Sequence, residues 1–269
     1  MSSYQSGRLK LHYEEHGSGD PVILLHGFAQ DSSAWFDVVP TYARFFRVLA
    51  MDMRGCGLSE APEPGYSPKD LAADVISLMD HLGIEKAHFC GFSLGGAAGL
   101  ELAIAHSDRL RSLSLHSTWE GGPCPSIRRW LEVRTRIIAL NDPVVNVGTR
   151  IVSFFSPEFA NAHENRIDEF ISRFNSNPHP ITSKGAAGHA AACLVHDVRG
   201  RLDQIATPTL ITVGTFDRTT LPSQARYLHA HIAKSELIYL DGCAHFTLFQ
   251  APQEFISASL GFLVKNQAH

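Results

Sequence analysis

The amino-acid sequence predicts an α/β protein in which a mostly parallel central sheet is wound with helices and interrupted by one helical insertion. Three observations predict it. Short apolar, β-rich runs alternate with longer helical patterns up to about residue 115, the rhythm is lost between about 119 and 204, and it resumes from about 208 onward. Alternation of this kind is what strands joined by crossover helices produce. With 269 residues, 44% hydrophobic and 19% charged, the chain has the length of one large domain, and disordered or fibrous behaviour is excluded.

The elements follow in order. Residues 8–15 read as a strand, and 21–25 form a continuously apolar run ended by His26-Gly27, the pattern of a strand covered on both faces. Residues 47–53 repeat that character. From 68 to 83 the apolar positions Leu71, Val75, Leu78, Met79 and Leu82 recur at spacings of three and four, giving an amphipathic helix with Pro68 at its start and Gly83 as its stop. A short strand at 87–90, a helix at 94–106 and a strand at 110–115 complete the first half. The stretch 119–204 reads as short helices separated by Pro123, Pro125, Pro143, Pro157, Pro178 and Pro180. A strand at 208–213, a helix at 221–233, a strand at 237–240 and a helix at 253–264 restore the rhythm. The expected organisation is therefore a core of residues 1–118 and 205–269 with 119–204 inserted.

Charge and cysteine content narrow the partners. Lys and Arg number 23 against 27 Asp and Glu, a net charge of −4 that is too weak to suggest nucleic acid or an anionic membrane surface, so a small molecule is expected. Five cysteines (56, 90, 124, 193 and 243) show no C-x-x-C spacing and cannot pair completely. Residues 1–10 hold no apolar run of secretory type, and no stretch approaches the roughly 20 apolar residues needed to cross a bilayer. A cytoplasmic location is expected. Metal chemistry is not: there is no H-E-x-x-H, and His229 and His231 are two apart, on different faces of a helix.

Gly91-Phe92-Ser93-Leu94-Gly95 fits G-x-S-x-G, a pattern that chance alone supplies in about one chain in ten of this length. Context makes it informative, because an apolar strand run ends just before it and a helix rich in small residues begins just after. A serine forced into a tight strand-to-helix turn needs neighbours without a Cβ, and the helix N-terminus favours negative charge developing nearby. Serine is a poor nucleophile unaided, so this reading requires a histidine base and a carboxylate to orient it. His245 lies just past the last strand-like run, on the side where ligands meet such sheets, with His26, His88 and His116 as rivals. Asp217 follows the strand at 208–213 and is the preferred acid, with Glu120 the rival.

These residues, together with His26-Gly27-Phe28 after one strand and Asp52-Met53-Arg54-Gly55-Cys56-Gly57-Leu58-Ser59 after the next, give a chain that resembles the α/β-hydrolase family over nearly its whole length outside the insertion. The resemblance implies an oxyanion hole made by the backbone N–H groups of Phe28 and Leu94, a structural turn at 52–59, and a helical lid at 119–204. No cofactor or metal is implied. Serine at position 93 separates the chain from members that resemble epoxide hydrolases or haloalkane dehalogenases, which carry aspartate there. The pattern is similar to 3-oxoadipate enol-lactonases and small bacterial carboxylesterases, implying cleavage of an ester or lactone through an acyl-enzyme. Two alternatives share the scaffold: C–C bond hydrolysis of ring-cleavage diketones, and a non-catalytic ligand-binding receptor. Monomer and homodimer both stay open.

Within the insertion, Trp119, Trp130, Phe154, Phe155, Phe159, Phe170 and Phe174 form an apolar inventory from which Trp119 and Trp130 are candidate substrate contacts. Helical stepping through 126–140 puts Ile127, Trp130, Leu131, Val133, Ile137, Ile138 and Leu140 on one side, with Arg134 among them. An arginine in an apolar stripe needs a partner or a path to water. Either a carboxylate of the insertion pairs it or a substrate anion does, so Arg134 is a third candidate contact.

Overall fold

The computed structural model describes residues 2–122 and 125–267, so Pro123 and Cys124 lie outside the described residues. Among the described residues eight strands form one sheet: β1 (Ser2–Ser6), β2 (Leu9–His16), β3 (Pro21–Leu25), β4 (Arg47–Met51), β5 (Ala87–Phe92), β6 (Leu110–His116), β7 (Thr209–Gly214) and β8 (Ser235–Leu240). Their spatial order is β1-β2-β4-β3-β5-β6-β7-β8. The pairs β1–β2 and β2–β4 are antiparallel and all others parallel.

The period of two along each central strand builds two cores. Ile23, Leu25, Leu49, Met51 and Phe89 face one side, where the helices Pro68–His81 and Leu94–Ala105 cover them. Val22, Leu24, Val48, Ala50 and Cys90 face the other, against Trp35, Tyr42, Phe46 and the helix Pro252–Lys265. Fully burying one such large apolar side chain contributes about 1.5–3 kcal/mol, which makes these two layers the chief source of stability. The helix Pro68–His81 starts at a capping box in which the Ser67 N–H donates to Asp70 Oδ2 at 2.8 Å.

Three elements differ from the sequence reading. β1 was not expected, because its residues are polar. Of its inward side chains, Tyr4 joins the apolar core while its Oη donates to the Asp74 backbone carbonyl at 3.1 Å, and Ser6 Oγ donates to Asp74 Oδ1 at 2.5 Å. β4 stops at Met51 because Asp52 leaves the sheet to tie a turn together. Its carboxylate accepts the N–H groups of Ser32 at 2.7 Å and Leu58 at 2.9 Å and lies 2.9 Å from His12 Nδ1. Burial alone would raise the Asp52 pKa, but these hydrogen bonds outweigh it and hold the group at about 2.

The third difference concerns the chain between β6 and β7. It carries α-helices at Pro125–Leu140, Pro143–Phe154, Pro157–Ala162, Glu164–Asn175 and Ser183–Val195. Pro143 and Pro157 sit at helix starts, where a missing N–H costs nothing, behind the N-caps Asp142 and Ser156. On Pro125–Leu140 the stripe is narrower than expected. Leu131 and Ile138 are buried, while Val133 and Leu140 are 53% and 70% exposed. Among the described residues no helix is long and apolar enough to cross a membrane.

Candidate active site

β5 delivers Ser93 to a turn that few sequences tolerate. Ser93 has φ 54° and ψ −113°, a conformation that costs a non-glycine residue on the order of 1–3 kcal/mol, and the helix Leu94–Ala105 begins at the next residue. The strain is held from both sides: the Ser93 N–H donates to the His116 carbonyl at 2.8 Å, and Thr118 Oγ1 donates to the Ser93 carbonyl at 2.8 Å. A Cβ at Gly91 would strike the Gly95 carbonyl, and one at Gly95 would strike the Leu25 carbonyl. Gly91 therefore lets the helix start fold closely against β5, and Gly95 lets it settle directly onto the backbone at the end of β3.

Ser93 Oγ lies 3.2 Å from His245 Nε2, and His245 Nδ1 lies 2.8 Å from Asp217 Oδ2. All three side chains are buried. Asp217 is fixed in turn: its Oδ1 accepts the N–H groups of Thr219 at 2.8 Å and Thr220 at 2.9 Å, and its Oδ2 accepts Thr220 Oγ1 at 2.8 Å. Hydrogen bonds on both carboxylate oxygens and on both ring nitrogens leave the imidazole one orientation.

The rival histidines are occupied elsewhere. His26 Nδ1 donates to the Gly27 carbonyl at 2.8 Å while its Nε2 accepts the Met53 N–H at 3.0 Å. His88 and His116 meet Ser112 Oγ at 2.7 Å and Thr212 Oγ1 at 2.8 Å. Burial lowers the pKa of His26, of His88 to about 4 and of His116 to about 3, so these rings stay neutral supports. Glu120 makes no hydrogen bond to His245, and burial raises its carboxyl pKa. Among the described residues no group of three or more His, Cys, Asp or Glu could hold a metal.

Leu94, which follows Ser93, and Phe28, which lines the same cavity, each carry a main-chain N–H. Leu94 opens its helix, so its N–H has no carbonyl one turn back, and the Phe28 N–H has no partner among the described residues. The loop carrying Phe28 is pinned at each neighbour. The Gly27 N–H donates to Gln30 Oε1 at 3.1 Å, the Ala29 N–H to His189 Nδ1 at 3.2 Å, and Arg150 Nη2 donates to the Ala29 carbonyl at 2.8 Å. Ala29 has φ 54°, a strained value that these contacts maintain. His189 completes its ring by donating Nε2–H to the Arg54 carbonyl at 3.0 Å. Thr220, His189 and Arg150 escaped sequence reasoning, since each acts on a residue remote in the chain or carries no local motif.

A narrow cavity of about 30 Å³ stands over Ser93, walled by Phe28, Trp119, Trp130, Leu131, Phe154 and His245. Trp119 and Trp130 thus border the site. Trp130 also packs edge-on against Phe28 and donates Nε1–H to Ser153 Oγ at 3.1 Å. Arg134 corrects the expectation. It faces the helix Pro143–Phe154 instead of the cavity, with Nη2 donating to Asn146 Oδ1 at 2.6 Å and Nη1 to the Asn146 carbonyl and Thr149 Oγ1. Neutral oxygens of the adjacent helix satisfy this guanidinium, so neither a carboxylate of the insertion nor a ligand is required.

Fold and site geometry together define a chain of the hydrolase type. Residues 20–252 match the alpha/beta hydrolase fold family, and the chain belongs to that family. It is 28% identical to 3-oxoadipate enol-lactonase 1 of Acinetobacter baylyi over 98% of this chain and 96% of that one. A Caulobacter sp. (strain K31) protein named as a carbamate hydrolase, RutD, is 30% identical over 96% of this chain and 98% of its own. Among solved structures, the enol-lactonase from Burkholderia xenovorans LB400 superposes with a TM-score of 0.86 at 28% identity, covering 97% of this chain and 99% of that one.

Proposed function

We propose that the protein is a serine hydrolase that cleaves a carboxylic ester or lactone through an acyl-enzyme intermediate. The observation that carries this reading is the continuous hydrogen-bonded line from Ser93 Oγ through His245 to Asp217, set at a strained turn beside two free main-chain donors. Ser93 attacks the acyl carbonyl as His245 Nε2 takes its proton, and Asp217 stabilises the imidazolium. The N–H groups of Phe28 and Leu94 receive the tetrahedral oxyanion, each such donor contributing about 2.7–4 kcal/mol in comparable sites. His245 then protonates the leaving alkoxide and activates the water that releases the acid.

In this scheme residues 119–204 act as a lid over the core, with Trp119 and Trp130 contacting substrate, and the chemistry uses the chain's own groups alone. Activity accordingly survives chelation. A reducing, cytoplasmic setting goes with the reading, since Cys56, Cys90, Cys193 and Cys243 are all free. The relatives named as a lactonase and as a carbamate hydrolase support acyl chemistry. The test is labelling by a fluorophosphonate probe together with turnover of para-nitrophenyl esters and lactones. Labelling and turnover that both vanish in Ser93→Ala are expected; a folded protein that neither labels nor turns over any of them overturns the proposal.

A further inference from the structure

We infer that Arg150 anchors a carboxylate subsite beside the reactive centre, so that the ester or lactone taken at Ser93 carries a carboxylate group. The substrate class rests on the hydrolase reading above; the subsite itself does not.

Arg150 lies on the helix Pro143–Phe154 and is 3% exposed, yet among the described residues no carboxylate oxygen lies close enough to form an ion pair with it. Its Nη2 donates to the Ala29 carbonyl, its Nε has no partner, and its Nη1 makes no hydrogen bond to the described residues. The rings of Phe174 and Phe154 lie 4.9 and 5.8 Å from its guanidinium carbon. Burial, and after it the charge of Arg134, lower its pKa to about 9 while Asp31 opposes them, so the group is a cation at neutral pH. Nη2 is taken and Nε is enclosed, so Nη1 is the donor left for a ligand, and an anionic oxygen there forms a charge-assisted hydrogen bond that offsets the burial of the cation.

Space for that group adjoins it. Arg150 borders a cavity of about 430 Å³, also lined by Asn146, Asn177 and Phe174, that shares Phe154 and Gln30 with the narrow cavity over Ser93. The acids on this larger cavity are engaged elsewhere. Asp31 accepts the Ser33 N–H at 3.0 Å and Asn177 Nδ2 at 2.6 Å, Asp52 ties its own turn, and Glu14 faces His16 at 3.3 Å. The Ala29 carbonyl that holds Arg150 belongs to the residue next to Phe28, so the guanidinium is tied to the same loop as the Phe28 N–H.

The experiment compares kcat/KM for mono-para-nitrophenyl glutarate, with its carboxylate on the acyl side, and para-butanoyloxybenzoate, with its carboxylate on the alcohol side. Each is measured against the uncharged para-nitrophenyl pentanoate or phenyl butanoate. Wild type is expected to prefer one of the acidic esters to its neutral counterpart. Arg150→Met is expected to lower that preference by about 10- to 100-fold, with Arg150→Lys keeping more of it. Because Arg150 also holds Ala29, a parallel fall for acidic and neutral esters would mean a purely positioning role and overturn the subsite, as would a wild type without preference. If no ester is turned over, the hydrolase reading fails, and calorimetric titration of glutarate decides the subsite alone. Binding to wild type that is lost in Arg150→Met, or weakened in Arg150→Lys should the methionine variant not fold, supports it; no binding to wild type overturns it.

Discussion

Asp217→Asn tests the proposed orienting acid with little structural disturbance. Oδ1 of Asp217 accepts two backbone N–H groups, from Thr219 and Thr220, so the carbonyl oxygen of the introduced amide must take that place. The amide nitrogen then replaces Oδ2, 2.8 Å from His245 Nδ1, and presents a donor where the carboxylate presented an acceptor. His245 is forced to carry its proton on Nε2, the nitrogen 3.2 Å from Ser93 Oγ, and in that tautomer it cannot accept the serine proton. A wrong tautomer at an equivalent position costs about ten-thousand-fold in kcat, or about 5.5 kcal/mol of transition-state stabilisation. Stability changes by only about 1 kcal/mol, since one hydrogen bond is traded for another. Steady-state hydrolysis of para-nitrophenyl butanoate, with thermal melts of both proteins, measures the two quantities. Glu120→Gln run in parallel is expected to stay within about twofold of wild type, because that side chain does not meet the imidazole. An Asp217→Asn enzyme within about tenfold of wild type, or a large loss in Glu120→Gln, would refute the assignment.

Three further outcomes follow from the geometry. Gly95→Ala pushes the helix start off the Leu25 carbonyl and misplaces Ser93, so kcat is expected to fall by about a hundredfold or more in protein that still folds; unchanged kcat would show that the close approach is dispensable. Phe154→Ala removes a ring packed against Phe155, Phe170, Phe246 and His245 and is expected to cost about 3–5 kcal/mol in urea unfolding, while widening the boundary that the two cavities share and improving turnover of longer acyl esters relative to short ones. Asp52 titrates at about 2 when folded, below its unfolded value of about 3.9, so its contribution of about 2–3 kcal/mol is complete above the unfolded value and disappears as pH falls through the folded one. The stability gap between wild type and Asp52→Asn is therefore expected to close between about pH 6 and about pH 2, and a gap independent of pH would count against that coupling.

Much of the fold was legible because β3 and β5 bury both faces and spell it out as unbroken apolar runs. β1 was hidden for the opposite reason, as its residues are mostly polar: Tyr4 alone enters the apolar core, and Ser6 is held by the Asp74 carboxylate. Residues 93, 217 and 245 stood out as polar groups at the ends of apolar strands, and they are the ones that hydrogen-bond to one another. Arg134 and Arg150 show where such reading stops. Both are buried arginines on neighbouring helices, but the first meets an asparagine and a threonine while the second is left with spare donors. Which of the two would be completed depends on the packing of helices around a cavity, which no local pattern encodes.

The close seating of the Leu94–Ala105 helix on β3 divides labour within the molecule. The height of the serine is set by main chain resting on main chain, an approach that only glycine at 91 and 95 permits. The walls contributed by Ile127, Trp130, Leu131 and Phe154 belong to a separate stretch of polypeptide. Exchange of Ile127 or Leu131 is therefore expected to change which molecules are admitted with less effect on His245 than exchange of Phe154, whose ring lies 5.9 Å from the imidazole, so new substrate preferences can arise at these walls while the seat of the helix stays as it is.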